Sequence, residues 1–264
     1  MANLRTNVRS AEFAAPRHVT STENCFFYHT LDLPGLGLQQ GEWDLRGQFA
    51  NYTDGYDFTG KSVLDVGAGS GFLSFSAEAE GATEVVSFDM DSTIRQDFLP
   101  FREKSYYQDR DQLVRDRDWW LNQWKNAYWL SHRLLGSEAR MYYGDIYDMP
   151  DALGEFDVVI LGSVLEHLSD PIKAMTSAAR RSSHAIQIIT PMVETDDRIA
   201  HFQGDCTKPD VDYVFWVYSE GIYKHVLKML GFDIAKIGKF MFRANWSGQD
   251  EPRYVITAIR ETNI

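Results

Sequence analysis

Cysteine is scarce. Cys25 and Cys206 are the only two in 264 residues, and they do not form a C-x-x-C pair. That excludes a disulfide framework and a thiolate zinc ribbon, and fits two reduced thiols packed in a reducing compartment. Long apolar runs are also missing: no segment approaches the roughly 20 residues that span a bilayer. The amino-terminal stretch Met1-Ala-Asn-Leu-Arg-Thr-Asn-Val-Arg lacks the apolar core of a secretion signal. A cytoplasmic location without membrane contact is expected. Positive charge is in deficit, with 26 Lys and Arg against 38 Asp and Glu for a net charge of −12, which repels polyanions. The short groups Arg180-Arg181 and Lys236 to Lys239 read as solvated surface rather than a phosphate track, so nucleic acid is a poor candidate partner.

What remains is 44% hydrophobic content, enough for one core flanked by helices. The most informative stretch is Ser62 to Phe75, Ser-Val-Leu-Asp-Val-Gly-Ala-Gly-Ser-Gly-Phe-Leu-Ser-Phe. Val63 to Val66 read as a buried strand, and Phe72 to Ala79 as a helix that stops at Gly81. Between them Gly67, Gly69 and Gly71 permit positive φ and close approach of a ligand to the backbone. The dinucleotide fingerprint is G-x-G-x-x-G; this chain has G-x-G-x-G, with Phe72 where the third glycine would fall. Asp65 lies inside the strand, and a second apolar run, Glu84 to Phe88, ends in Asp89, placed to bind both hydroxyls of a ribose. The pattern points to a nucleoside ligand without a pyrophosphate.

Asp65 to Gly71 followed by Asp89 resembles the binding site of class I S-adenosylmethionine-dependent methyltransferases, over roughly residues 58 to 260. The resemblance implies a doubly wound, Rossmann-like α/β fold with a seven-stranded, mostly parallel sheet and one antiparallel strand. It also implies that Asp65, Gly67, Ala68, Gly69, Gly71, Asp89, Met90, Asp145, Ile146 and Ser163 bind the cofactor, S-adenosylmethionine. Asp145 follows a third strand in Ala139-Arg-Met-Tyr-Tyr-Gly-Asp, and Ser163 ends a fourth in Phe156-Asp-Val-Val-Ile-Leu-Gly-Ser.

Three regions stand outside the alternating pattern. Residues 1–57 form a leader, mixed in aromatics and turn residues and too apolar for a free tail, expected to fold over the methyltransferase domain at 58–264. Its Tyr28-His-Thr and Trp43-Asp-Leu-Arg segments resemble the wobble-uridine carboxymethyltransferase-like branch and uncharacterised bacterial relatives. An insert at about 92–138 places Leu113, Trp120, Trp124, Ala127, Ser131 and Leu135 on one helical face, with Trp119, Tyr128 and Trp129 off it. These rings either pack the helix onto the domain or onto a second copy, giving a homo-oligomer, or wall the substrate site. The third region, about 191–218, leaves the carboxyl end of a strand, where open α/β sheets bind ligands.

A sulfonium methyl is already activated, so positioning supplies much of the acceleration, with a base where the acceptor must lose a proton. His167, just past the fourth strand, and His29 and His201, in the leader and the third region, are the candidates. No acid spacing marks a metal site, and none is expected. The expected function is direct in-line methylation of an oxygen or nitrogen of a small molecule. Other readings are a tRNA-modifying enzyme, a non-catalytic partner subunit retaining the fold, and a nicotinamide-dependent oxidoreductase.

Overall fold

Val63, Leu64 and Val66, interrupted only by Asp65, and Val158 to Leu161 show no alternation of apolar and polar residues, the pattern of strands covered on both faces, and in the computed structural model both lie at the centre of one sheet. The structure describes residues 12–99, 101–103 and 109–261. The amino-terminal stretch read for a secretion signal, the start of the leader and parts of the insert lie outside the described residues.

The main sheet has eight strands: β1 (Trp43–Asp44), β2 (Ser62–Val66), β3 (Glu84–Asp89), β4 (Arg140–Tyr143), β5 (Phe156–Gly162), β6 (Ser182–Thr190), β7 (Phe232–Ala244) and β8 (Gln249–Arg260). Their spatial order is β1-β7-β8-β6-β5-β2-β3-β4. Strands β4, β3, β2, β5 and β6 pair in parallel, and β8 runs antiparallel to β6 and β7. The seven expected strands are therefore present, with β8 as the reversed one. An eighth was not anticipated: the leader contributes β1, antiparallel to β7 through Arg243↔Asp44 and Ala244↔Trp43.

Among the described residues five helices flank the sheet: α1 (Phe49–Tyr52), α2 (Phe72–Ala79), α3 (Arg110–Leu135), α4 (Pro171–Ala179) and α5 (Glu220–Met229). Because strand side chains alternate between faces, Leu64, Val66, Val159 and Leu161 join Met175 and Leu227 in one apolar layer. Val63, Val158 and Ile160 join Leu73, Leu130 and Leu45 in the other. Asp170 caps α4, its carboxylate accepting the Lys173 N–H at 3.0 Å with Pro171 in the first turn.

Helix α3, 26 residues long, is the crossover between β3 and β4. Asp109 caps its start, and Gly136, at φ 65°, ends it. The expected single stripe does not describe its packing: Leu113, Ala127 and Ser131 are buried, but Trp120 and Leu135 are 51% and 40% exposed. Tyr128 and Trp129, placed off the stripe, are buried instead. The last turns pack on two sides, Ala127 and Leu130 toward Leu73, Tyr128 and Trp129 toward Phe75 and Met141, so burial is continuous from 127 to 131. The leader runs along this helix (Phe26 N–H to Gln123 O, 3.1 Å) before crossing to the sheet. The third region is partly strand: Met192–Val193, Ala200–Phe202 and Trp216–Ser219 make a separate three-stranded sheet.

Candidate active site

The turn from β2 into α2 uses the left-handed region at all three glycines, with φ of 81°, 56° and 90° at Gly67, Gly69 and Gly71. Side-chain-bearing residues rarely adopt these angles. Phe88 O accepts the Gly67 and Ala68 N–H groups at 2.8 and 3.2 Å, fixing the turn against β3. A Cβ on Gly69 would lie 3.7 Å from Tyr28 and 3.8 Å from the His29 ring, so the leader faces the loop across a narrow space. Val164, from the turn after β5, closes on Gly67 in the same way, 3.0 Å from where its Cβ would be.

Asp89 ends β3 with both oxygens directed at backbone: Oδ2 accepts the Gly69 N–H at 2.9 Å and Oδ1 the Met90 N–H at 2.7 Å. Burial raises its pKa, and those N–H groups offset part of the rise. Its carbonyl accepts the Gly144 N–H at 2.8 Å, which brings Asp145 and Ile146 alongside. Asp145 accepts the Tyr147 N–H at 2.9 Å and lies 3.5 Å from Arg95. Lys125 of α3, 8% exposed, donates to Asp91 O at 2.6 Å and covers the Tyr143 ring at 4.4 Å. Sequence reasoning missed Lys125, since a lysine within an aromatic helix reads as surface.

Asp65 is fully enclosed beneath α2. Ser74 Oγ donates to its Oδ2 at 2.6 Å, and the chain continues to Ser87 (2.7 Å) and Tyr128 (2.8 Å), while Oδ1 has no partner among the described residues. Burial pushes the carboxyl up to about 7. The relay was not visible in sequence because its members sit singly on four separate elements.

The three candidate histidines are in different surroundings. His29 is buried; its N–H donates to Ser70 Oγ at 2.9 Å, and burial lowers the ring to about 3, which makes it a poor proton acceptor at neutral pH. His167 ends the turn Leu165–His167, half-exposed, with Nδ1 3.0 Å from Tyr213 O. A carbonyl only accepts, so Nδ1 is the donor in this contact. His201 is exposed in Ala200–Phe202, its backbone paired with Val217. Ser163, between β5 and His167, holds φ 48°, unusual outside glycine, and its Oγ meets Tyr52 OH at 3.0 Å. Arg46 is paired to Asp44 at 2.7 Å on the surface.

Loops from separate strands roof this end of the sheet. Asp97, after β3, accepts the Ser169 N–H at 2.8 Å, after β5. Asp212 joins the roof through its carbonyl to the Leu99 N–H (2.6 Å) and its carboxylate to Arg117 (2.7 Å). Among the described residues no group of three or more His, Cys, Asp or Glu is placed to hold a metal ion, and no helix is long and apolar enough to cross a membrane. The bared glycine backbone and the acceptor oxygens of Asp89 beside it fit a nucleoside ligand.

The family model for the methyltransferase domain matches residues 43–237. The ribosomal protein L11 methyltransferase of Colwellia psychrerythraea is 34% identical over 85 residues, 32% of this chain and 29% of that protein. Its counterpart from Haemophilus ducreyi is 40% identical over 58 residues, 22% of this chain and 20% of that one. The chain thus spans under a third of the length of these curated relatives. Among solved structures, magnesium protoporphyrin IX methyltransferase from Synechocystis with bound S-adenosylhomocysteine superposes with a TM-score of 0.52 at 16% identity, covering 82% of each chain. A Listeria monocytogenes protein assigned to the S-adenosylmethionine-dependent methyltransferases gives 0.53 at 14% identity, over 83% of this chain and 100% of that one. At these identities the likeness to the solved structures is one of fold.

Proposed function

This chain belongs to the methyltransferase-domain family of S-adenosylmethionine-dependent enzymes, and from that premise we propose that it methylates an oxygen or nitrogen of a small molecule by direct in-line transfer. The observation that carries this reading is the bond from the Gly69 N–H to Asp89 Oδ2 at 2.9 Å, which joins the bared loop and the acid at the β3 tip in one site. When bound, S-adenosylmethionine supplies an activated methyl group. The protein's part is alignment: Gly67 and Gly69 let the backbone approach, Asp89 takes ribose hydroxyls, and Asp145 with Ile146 borders the base.

Support for a small acceptor comes from the roof. The Asp97–Ser169 and Leu99–Asp212 contacts and the leader's approach to Gly69 enclose the strand ends. The net charge of −12 disfavours RNA. The curated relatives methylate a ribosomal protein by name, which makes a protein acceptor the second reading. Incubation with methyl-labelled S-adenosylmethionine and, separately, a cell metabolite extract, total protein and total RNA distinguishes them. Label in metabolites supports the proposal; label confined to protein or RNA refutes the small-molecule assignment.

A further inference from the structure

Glu166 bears a carboxylate that the fold buries and leaves unmatched. It lies in the turn after β5, is 6% exposed, and its enclosed Oε2 has no hydrogen-bond partner among the described residues. The turn is held in place, since Glu166 O accepts the Phe215 N–H at 2.8 Å. Removing an ionised carboxylate from water is costly unless a cation or several donors meet it.

Among the described residues, phenols surround this carboxylate and no ion pair reaches it. Burial foremost, and then the charge of Glu166, raises the phenols of Tyr28, Tyr52 and Tyr223, which come from the leader, α1 and α5. The hydroxyls of Tyr52 and Tyr223 are engaged elsewhere, with Ser163 at 3.0 Å and Thr190 at 3.3 Å. Glu42, half-buried in the leader, adds a second carboxylate; burial raises its pKa, and the nearby His167 offsets part of that rise. The neighbouring guanidinium, Arg253, stacks on Trp43 at 4.6 Å and lies 3.6 Å from Glu251. Tyr28 also faces Gly69, and Val164, two residues before Glu166, faces Gly67, so this cluster of carboxylates and phenols adjoins the glycine loop.

We infer that Glu166, with Glu42 beside it, holds the acceptor as a cation: a small molecule bearing an amine, methylated on that nitrogen. The inference rests on the methyl-transfer reading and narrows it from oxygen or nitrogen to nitrogen. The acceptor ammonium gives one proton to His167 Nε2, freeing a nitrogen lone pair. That pair forms the bond to the methyl carbon as the carbon–sulfur bond breaks, its electrons staying on sulfur. The product is again a cation, so the carboxylates are paired before and after transfer. Tyrosine faces favour such a group further.

The test combines methyl-labelled S-adenosylmethionine with a cell metabolite extract and the full-length protein, locating the label in each product by fragmentation. Label on nitrogen is expected, and Glu166→Gln should lower its rate at least tenfold while changing the donor Kd, measured by calorimetry, less than twofold. Label on oxygen only overturns the amine assignment and leaves methyl transfer standing. No labelled product from a protein that binds the donor overturns both, and no donor binding refutes the methyl-transfer reading itself. A tenfold weaker donor Kd in Glu166→Gln, with an unchanged thermal midpoint, moves the carboxylate onto the donor and overturns the inference. Glu42→Gln serves as the second variant, with the same expectation if Glu166→Gln does not fold.

Discussion

Gly69 donates its backbone N–H to Asp89 Oδ2 at 2.9 Å, so the glycine loop and the tip of β3 are one unit. The loop's glycines serve it differently. A Cβ on Gly71 would meet the Phe75 ring at 2.3 Å, whereas one on Gly69 would find only ordinary contacts beyond 3.7 Å. Both positions hold positive φ. Gly69→Ala should therefore cost about 1–2 kcal/mol of stability from backbone strain, and Gly71→Ala about 2–5 kcal/mol from strain and overpacking together. Urea unfolding gives both values. Equal losses would contradict the geometry.

Two buried groups pull the pH dependence of stability in opposite directions. His29 falls from 6.5 to about 3 on folding because it is buried. Its neutral form favours the fold, so its contribution is present above pH 6.5 and is lost as pH falls toward 3. Asp65 rises from 3.8 to about 7, again through burial. Its contribution is present below 3.8 and is lost as pH rises through 7. Between about 4 and 6.5 the two slopes oppose. His29→Gln should leave Asp65 unopposed, so that stability rises on acidification by up to about 1.4 kcal/mol per pH unit relative to wild type. Denaturant midpoints across that range measure it, and a variant with the wild-type slope would count against the assignment.

The tryptophans of α3 divide by burial rather than by sequence phase. Trp119 and Trp120, 57% and 51% exposed, stack edge-to-face on one another at 4.8 Å, while Trp129 is 2% exposed. Replacing Trp119 or Trp120 with Gln should shift stability by no more than about 0.5 kcal/mol. Trp129→Ala should cost about 3–5 kcal/mol. Thermal unfolding monitored by circular dichroism distinguishes the two groups.

The parts visible in sequence were those where one physical demand acts alone. Val63, Leu64 and Val66, like Val158 to Leu161, lie in strands covered on both faces and must be apolar, and the glycines at 67, 69 and 71 answer a backbone demand that other residues rarely meet. Asp170-Pro171 is likewise a local signature of a helix start, whereas β7 and β8 run well past their apolar residues. What stayed hidden depends on tertiary company. Two residues, Trp43 and Asp44, are too few to show a strand period, yet they extend the sheet. Burial of α3 on two sides erases the 3.6-residue rhythm between 127 and 131. Nothing local separates His29, sealed by packing, from His167, half-exposed beside the strand tip. The carboxylates followed the same rule: Asp89 is legible from its place after an apolar run, whereas the isolation of Glu166 exists only in the assembled pocket.

The most direct measurement of the central claim is calorimetric titration of S-adenosylhomocysteine into the wild-type protein and Asp89→Ala. The wild type should bind, and the variant should bind about 10- to 150-fold more weakly, the loss of charge-assisted hydrogen bonds worth about 1.5–3 kcal/mol, with its fold intact by circular dichroism. Absence of heat with the wild type, or equal affinity in the two proteins, would contradict a nucleoside site built on the Gly69–Asp89 pair.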